Sequence, residues 1–252
     1  MKALRRVAAL VVVCACLAAV VVYQSDRPSP AKSNPVVFVP SPGFYHSFSP
    51  SVRATVADVY WLATIQYYGE HVNSDHRLDS LPAMVRLVTD LSPHFTQAYF
   101  FGSFAMIDVG RPDVAYSLLK SGFAANPRDW QFPFYLGFFA YTYATNSRRF
   151  AVAAQWYAEA ARLPGRPEFV PRLAAELATR GASPQVAIDL WTQVWVTGRK
   201  TDDKYAWQKA VTALDKLLPA DRTAREKAVA ALEPSVPRAL FPQLIADLFQ
   251  GS

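Results

Sequence analysis

Apolar side chains recur at steps of three and four positions along most of the chain, which is the spacing of one face of an α-helix. One such run is Ala153, Trp156, Tyr157 and Ala160. No segment after Pro50 alternates apolar and polar residues over the length that a half-buried strand needs. Proline and glycine interrupt the pattern at regular intervals, including at Pro93, Pro127, Pro164 and Pro219. The pattern predicts an all-α body of helices of about 12–18 residues joined by short turns.

The predicted helices also repeat. A small residue followed four positions later by a bulky one occurs three times, and a looser match lies upstream. The pairs are Ala115 and Leu119, Ala153 and Tyr157, Ala187 and Trp191, and, upstream, Leu81 and Val85. Successive pairs begin 34, 38 and 34 positions apart. A period of about 34 residues is typical of proteins that stack helix pairs, because a single pair cannot bury its apolar face alone.

This pattern resembles the tetratricopeptide repeat family, whose unit of about 34 residues is two helices joined by a tight turn. The resemblance covers residues 60–198 and is densest over residues 99–157. Besides the small and bulky pairs, the matching residues are Leu136, Gly137, Gly110, Pro93, Pro127 and Pro164. The tryptophan position of the family's first helix instead holds Tyr99, Pro133 and Pro171, and a longer turn is expected over residues 145–149.

The resemblance implies a solenoid of about four helix pairs, expected over residues 50–199. Capping helices are expected over residues 200–252, because residues 202–218 and 221–232 are amphipathic and rich in charge. The last apolar segment, residues 240–249, is expected to fold back onto the stack, and a partner-binding helix is the alternative.

In that family the first helix of each pair lines a groove that binds a partner, and the resemblance places eleven residues of this chain there. They are Gln97, Phe100, Phe104 and Ile107 from one unit, Gln131, Phe134, Phe138 and Tyr141 from the next, and Arg172, Glu176 and Arg180 from the third. Five are aromatic, which suits an apolar helix or an extended hydrophobic segment as ligand. The alternative is that these aromatic residues belong to the core.

The first 23 residues predict a membrane anchor. Residues 7–23 carry no charge and would cover about 26 Å as a helix, which is the short end of a membrane span. Lys2, Arg5 and Arg6 precede this run, so the N-terminus is expected in the cytoplasm and the body on the periplasmic side of a bacterial inner membrane. A cleaved signal peptide is the alternative. Lipid attachment at Cys16 is a weaker one.

A proline-rich stretch follows over residues 24–49 and predicts an extended spacer that lifts the domain off the membrane. Within it, residues 36–39 are apolar and mostly β-branched. We expect them to lie on the domain as a strap, and the alternative is a strand that docks on the sheet edge of a partner.

Charge and cysteine content exclude several classes of function. The net charge is +6, of which three positive charges precede the apolar run, and the remaining basic residues are interleaved with acids, unlike a nucleic-acid-binding surface. Both cysteines lie inside the apolar run, so the body has neither a disulfide nor a cysteine metal site. His71, Asp75 and His76 lack a fourth metal ligand and are expected in a solvated turn over residues 70–76.

No phosphate-binding glycine loop and no Gly-x-Ser-x-Gly motif occurs in the sequence. Asp202 and Asp203 are expected at a helix start, where acids favour the helix dipole, and His94 is expected to pack or cap at a unit boundary. The sequence therefore predicts a non-enzymatic scaffold without cofactor or metal, which binds or assembles a membrane or envelope protein complex. A permanent structural subunit of a large membrane complex and an envelope hydrolase are the alternatives.

Overall fold

The computed structural model describes residues 50–145, 148–181 and 184–249, together with Ala15 and Val39. Within these residues the chain forms eleven α-helices, one short 3₁₀ helix and no strand. The predicted all-α body is confirmed there.

The helices follow one another through short turns. They are α1 (Pro50–Val72), α2 (Leu81–Leu91), α3 (Thr96–Asp108), α4 (Pro112–Ala125), α5 (Gln131–Tyr143), α6 (Arg149–Arg162), α7 (Phe169–Gly181), α8 (Pro184–Thr201), α9 (Lys204–Leu217), α10 (Arg222–Ala230) and α11 (Phe241–Phe249). The 3₁₀ helix spans Glu233–Ser235. From α1 to α9, each helix packs against the next one in the chain.

Odd-numbered helices also contact one another in series. The Trp61 ring of α1 lies 5.2 Å from the Phe101 ring of α3, and the Phe104 ring of α3 lies 5.3 Å from the Tyr135 ring of α5. Farther along, the Phe134 ring of α5 lies 6.1 Å from the Phe169 ring of α7. Because consecutive helices pack together and these odd-numbered ones lie side by side, α1, α3, α5 and α7 form one layer of the body.

The even-numbered helices make contacts of their own. The indole Nε1 of Trp156 in α6 donates a hydrogen bond of 2.6 Å to the hydroxyl of Tyr116 in α4. A Cβ added to Gly102 of α3 would clash with both Val85 of α2 and Leu118 of α4. At Gly102, α3 therefore packs into the junction between α2 and α4.

The pairs of small and bulky residues lie between these layers. All eight side chains are buried, and Ala115, Ala153 and Ala187 have no exposed surface. The hydroxyl of Ser103 in α3 donates to the carbonyl of Ala115 in α4 over 3.2 Å. A Cβ on Gly137 of α5 would lie 3.2 Å from the carbonyl oxygen of Ala153 in α6. Small residues at these positions let the helix backbones approach closely.

The C-terminal segment folds back onto the body, as expected. Leu244 and Leu248 of α11 are buried in the main core cluster. The carboxylate of Asp247 accepts a hydrogen bond of 2.8 Å from the indole of Trp195 in α8 and pairs with Arg199. These contacts favour folding back over the alternative of a free partner-binding helix.

Acidic side chains cap two of the later helices. Asp203 accepts a hydrogen bond of 3.0 Å from the backbone N–H of Ala206 at the start of α9, and Asp221 accepts one of 2.8 Å from Ala224 at the start of α10. The expectation of an acidic helix start is thus confirmed for Asp203.

The expectation of a solvated turn is wrong for His71. Helix α1 continues to Val72, so His71 lies in its last turn and is buried. Its Nδ1 lies 2.7 Å from a carboxylate oxygen of Asp75, and its ring lies 4.3 Å from the Tyr67 ring, tilted by 52°. The backbone N–H of His76, a residue with φ of 56°, donates to the carbonyl of His71. This bond closes the helix C-terminus, and it explains why a polar sequence remains helical there.

The anchor predicted over residues 1–23 and the spacer over residues 24–49 lie outside the described residues, except at Ala15 and Val39. Val39 packs against Ala57, Leu87 and Leu91, as the strap interpretation expects at that position. The longer turn expected over residues 145–149 is described except at positions 146 and 147. In the part of the chain that is described, no helix is long and apolar enough to cross a membrane.

Candidate partner-binding surface

The eleven residues assigned to a groove from the sequence lie on α3, α5 and α7, and none of them is buried. Phe104 and Tyr141 are 40% and 39% exposed, and Gln97 and Arg180 are also exposed. The other seven are half-buried, and they are Phe100, Ile107, Gln131, Phe134, Phe138, Arg172 and Glu176. We refer to the exposed sides of α3, α5, α7 and α9 as the odd-helix face.

On α3 and α5, buried positions recur with the helical period, and the aromatic side chains between them lie on the outer side of each helix. On α3, Tyr99, Gly102 and Met106 turn toward the even-numbered helices, and Phe100 and Phe104 lie on the other side. The tight approach at Gly102 holds α3 against α2 and α4. The outward side chains are thereby fixed on a rigid support.

One tyrosine joins the aromatic residues of neighbouring helices. The ring of Tyr135 lies 5.2 Å from Phe100, 5.3 Å from Phe104 and 5.5 Å from Phe134. Phe134 in turn contacts Phe169. We define the aromatic strip as these residues together with two more of α5, so that it consists of Phe100, Phe104, Phe134, Tyr135, Phe138, Tyr141 and Phe169. Most ring contacts within it are edge to face, the geometry that aromatic quadrupoles favour.

The odd-helix face changes from aromatic to cationic at α7 and α9. The guanidinium of Arg172 lies 5.0 Å from the ring centroid of Tyr205, which is 61% exposed. Lys209 forms an ion pair with Glu176 and lies 5.7 Å from the same tyrosine ring. The hydrogen bond that Lys209 donates to the carboxylate of Glu176 raises the pKa of Lys209, so this lysine is charged at neutral pH.

A cavity of about 650 Å³ opens between α7, α8 and α9. Arg180, Lys209 and Lys216 line it, with Glu176 as its one acid, and Trp191 forms part of its apolar wall. We call it the cationic cavity. Among the described residues no acidic side chain pairs with Arg180 or Lys216, so the cavity carries net positive charge.

Three ionisable side chains elsewhere lie in structural contacts. A hydrogen bond to Asp108 raises the pKa of Tyr68 to about 12, and burial raises the pKa of Tyr157 to about 12. Both hydroxyls are therefore protonated at neutral pH. The ring of His94 contacts the amide of Asn126 at 3.1 Å, where α2 and α3 meet the end of α4, in agreement with a capping role. Within the described residues no group of three or more metal-ligating side chains occurs.

Sequence reasoning missed five residues of this face, namely Tyr135, Phe169, Tyr205, Lys209 and Lys216. The repeat itself contained the signal for two of them. Tyr205 follows Arg172 by 33 positions, and Lys209 follows Glu176 by the same interval. Because residues 202–218 were interpreted as a cap, this spacing was not extended to them.

No protein-family model matches the chain, and no curated protein matches it.

Proposed function

We propose that this chain is a non-enzymatic, membrane-anchored scaffold that binds a segment of a partner protein on its odd-helix face. The aromatic strip carries the proposal. Ring contacts join it across α3, α5 and α7, from Phe104 through Tyr135 and Phe134 to Phe169. Phe104 and Phe169 each leave about two fifths of their surface in contact with solvent, and so does Tyr141, whose ring lies 5.9 Å from Phe150 of α6. A contiguous exposed apolar patch marks an interaction site in soluble domains.

The proposed architecture is a tetratricopeptide-like solenoid. Helices α3, α5, α7 and α9 begin at Thr96, Gln131, Phe169 and Lys204, at intervals of 35, 38 and 35 residues. The side-by-side contacts of the odd-numbered helices support this arrangement. The proposed helix pairs are α1–α2, α3–α4, α5–α6 and α7–α8, followed by α9 to α11.

The energetic gain from a partner is substantial. A phenylalanine side chain of about 200 Å² that is two fifths exposed offers about 80 Å² for burial, which is worth about 2 kcal/mol. Phe104 and Phe169 are of this kind. Such contacts together offset part of the loss of freedom on association.

The proposed location is the bacterial inner membrane, with the body on the periplasmic side. The apolar residues 7–23 and the basic residues before them support it. The partner is then a membrane or envelope protein.

Site-specific photocrosslinking in intact membranes tests the proposal. A photoreactive amino acid replaces Phe104 or Tyr141 in the full-length chain, and matched controls carry it at Lys120 of α4 and Gln155 of α6, which are exposed on even-numbered helices. We expect one discrete adduct from the two strip positions and none from the controls. Equal adducts from all four positions, or none from any, would contradict the proposal.

A second candidate function, the permanent structural subunit, is favoured by a separate apolar surface on α1. Val59 and Leu62 are 60% and 61% exposed, and Val52 and Ile65 are exposed beside them. In a permanent subunit of a large complex, other subunits would cover both the aromatic strip and this surface of α1. Extraction in mild detergent distinguishes the two functions. Constant stoichiometry with one complex supports the subunit, and substoichiometric, salt-sensitive association supports the scaffold.

A further inference from the structure

We infer that the chain forms a homodimer through α1, in which the α1 helices of two copies pack side by side and antiparallel. The inference goes beyond the proposed function. It assigns to a second copy of this chain the surface of α1 that a permanent subunit would present to other proteins. The aromatic strip takes no part in this contact, so the two proposals are tested at different surfaces.

The outer side of α1 carries exposed residues at the seven-residue period of a coiled coil. We call them the α1 seam, which consists of Val52, Thr55, Val59, Leu62, Gln66 and Gly69. Their alternating steps of three and four positions are those of the a and d positions of two-stranded coiled coils. The buried residues of α1 are Ala57, Thr64, Tyr67 and His71. By the helical period these residues lie nearly opposite the α1 seam, so the body of the chain leaves the seam free.

The contacts of α1 within the chain lie on its other sides. Trp61 and Tyr68 each contact the Phe101 ring of α3, and Val39 packs against buried residues of α1 and α2. Helix α1 is the first helix that the structure describes in full, and the terminal helix of a stack needs a polar outer side to stay soluble. The outer side of α1 instead exposes four large aliphatic side chains, which are Val52, Val59, Leu62 and Ile65.

An antiparallel register makes the α1 seam complementary to itself. The residues that then face each other across the two copies are Val59 with Leu62, Thr55 with Gln66, and Val52 with Gly69. A Cβ added to Gly69 meets no atom within 4 Å, so the space above this glycine is open to the valine of the other copy. Thr55 and Gln66 are both polar, and each provides a hydrogen-bonding group for the other. In a parallel pair the two glycines would face each other and leave a gap.

The charges at the ends of α1 favour the same orientation. Helix α1 has no acidic residue in its first turn, and Glu70 is exposed in its last turn. In the antiparallel register Glu70 of one copy lies opposite Ser51 of the other, where a carboxylate is stabilised by the positive end of the helix dipole. A parallel pair would instead bring the two Glu70 side chains and the two negative helix ends together.

The outer side of α1 does not suit a membrane surface. Helices that lie on a bilayer carry lysine and arginine on their polar face. Helix α1 contains no lysine, and its one arginine, Arg53, is half-buried. Asp58 and Glu70, which flank the α1 seam, are both exposed acids. An anionic bilayer would repel this side of the helix, whereas a second copy in the antiparallel register accommodates it.

The size of the α1 seam suits a dimer of membrane-anchored chains. From Val52 to Gly69 the seam is about 26 Å long, and half the circumference of a helix about 10–12 Å across gives about 400–500 Å² on each copy. The two copies together then bury about 800–1,000 Å², which is at the low end of specific interfaces. Confinement to one membrane by the proposed anchor raises the effective concentration of the two copies, which favours a contact of this size.

Disulfide crosslinking in membranes between two differently tagged copies of the full-length chain tests the inference. Both copies carry Cys14→Ala and Cys16→Ala, which remove the native thiols. One copy also carries Val52→Cys and the other Gly69→Cys. On oxidation we expect this pair to form a disulfide between copies, because the two positions face each other. We expect none when both copies carry Val52→Cys, because these sites are about 26 Å apart in the antiparallel register.

Two further variants locate the contact. Adding Val59→Ser with Leu62→Ser to both copies is expected to lower the yield of the mixed disulfide at least about tenfold, because the centre of the seam loses its apolar surface. The matched control is Val186→Ser with Ile245→Ser, which removes two aliphatic side chains that are each 41% exposed on α8 and α11, and it is expected to leave the yield unchanged. Thermal unfolding verifies that each variant is folded.

The outcomes separate this inference from the proposed function. A yield no higher than that from Lys120→Cys in both copies, which measures chance collisions of exposed sites, would overturn the dimer. Disulfides from Val52→Cys in both copies without the mixed one would show a parallel pair and overturn the antiparallel contact. A photoreactive amino acid at Leu62 that captures only another protein would overturn the dimer in favour of the permanent subunit. Absence of crosslinks from Phe104 and Tyr141 beside an intact mixed disulfide would reject the scaffold and leave the dimer standing.

Discussion

Gly122 in α4 offers a sharp test of the packing beneath the aromatic strip. A Cβ at this position would lie 2.2 Å from a ring carbon of Phe132 in α5 and 2.9 Å from the Tyr99 ring of α3. Phe132 has no exposed surface, so its ring cannot rotate into solvent. The substitution Gly122→Ala therefore forces the ring to move by about 1 Å within a packed core, at a cost of about 2–3 kcal/mol.

The helix propensity of alanine offsets part of this cost. Alanine is favoured over glycine by about 1 kcal/mol inside a helix, so the net destabilisation by Gly122→Ala is about 1–2 kcal/mol. Gly69 in α1 is the matched control, because a Cβ there meets no atom within 4 Å. Gly69→Ala is expected to stabilise the protein by up to about 1 kcal/mol.

Thermal unfolding followed by circular dichroism measures both variants. A difference of about 2–3 kcal/mol corresponds to a separation of about 5–10 °C in Tm for a domain of this size. Phe132 also supports Phe100, whose ring is 4.6 Å away, so Gly122→Ala is expected to weaken crosslinking at the strip as well. If Gly122→Ala proved as stable as Gly69→Ala, α4 and α5 would not approach each other as closely as the structure has them.

Three further predictions concern the binding surface, the C-terminal helix and the end of α1. Phe104→Ser with Phe138→Ser is expected to reduce crosslinking from Tyr141 while the helical content is kept, and loss of the circular dichroism signal would show instead that the two rings are core residues. Asp247→Ala is expected to lower the free energy of unfolding by about 2–3 kcal/mol, because it leaves partly buried hydrogen-bond donors without an acceptor. Asp247→Asn, which keeps an acceptor, is expected to cost less, and equal urea midpoints would contradict this. The hydrogen bond from His71 lowers the pKa of Asp75, so its contribution is present above about pH 4 and is lost as the pH falls through the lowered pKa. Thermal scans from pH 6 to pH 2 are expected to show a smaller pH dependence in Asp75→Asn, and parallel curves would contradict the assignment.

The all-α fold followed from the sequence because local signals agreed with packing. Pro112 occupies the first turn of α4, where the missing N–H costs nothing, and Asp203 caps α9. His71 was misjudged because its burial depends on contacts with Tyr67 and with Asp75, four residues on, and on the positive φ of His76. Composition shows a polar segment there, and it does not show that the segment closes a helix.

The exposure of the aromatic residues was beyond sequence reasoning for a different reason. Helix α5 is apolar on all sides, since its sequence QFPFYLGFFAYTY contains no charged residue. Amphipathic periodicity locates the solvent side of a helix only when one side is polar, and a helix that is apolar all round is normally buried. In the structure Leu136 and Gly137 are buried, whereas Tyr141 and the half-buried Phe138 lie on the outer side. The sequence of α5 is therefore typical of a buried helix, but the described residues cover only one side of α5. The proposed partner on the odd-helix face would cover the apolar residues on the other side.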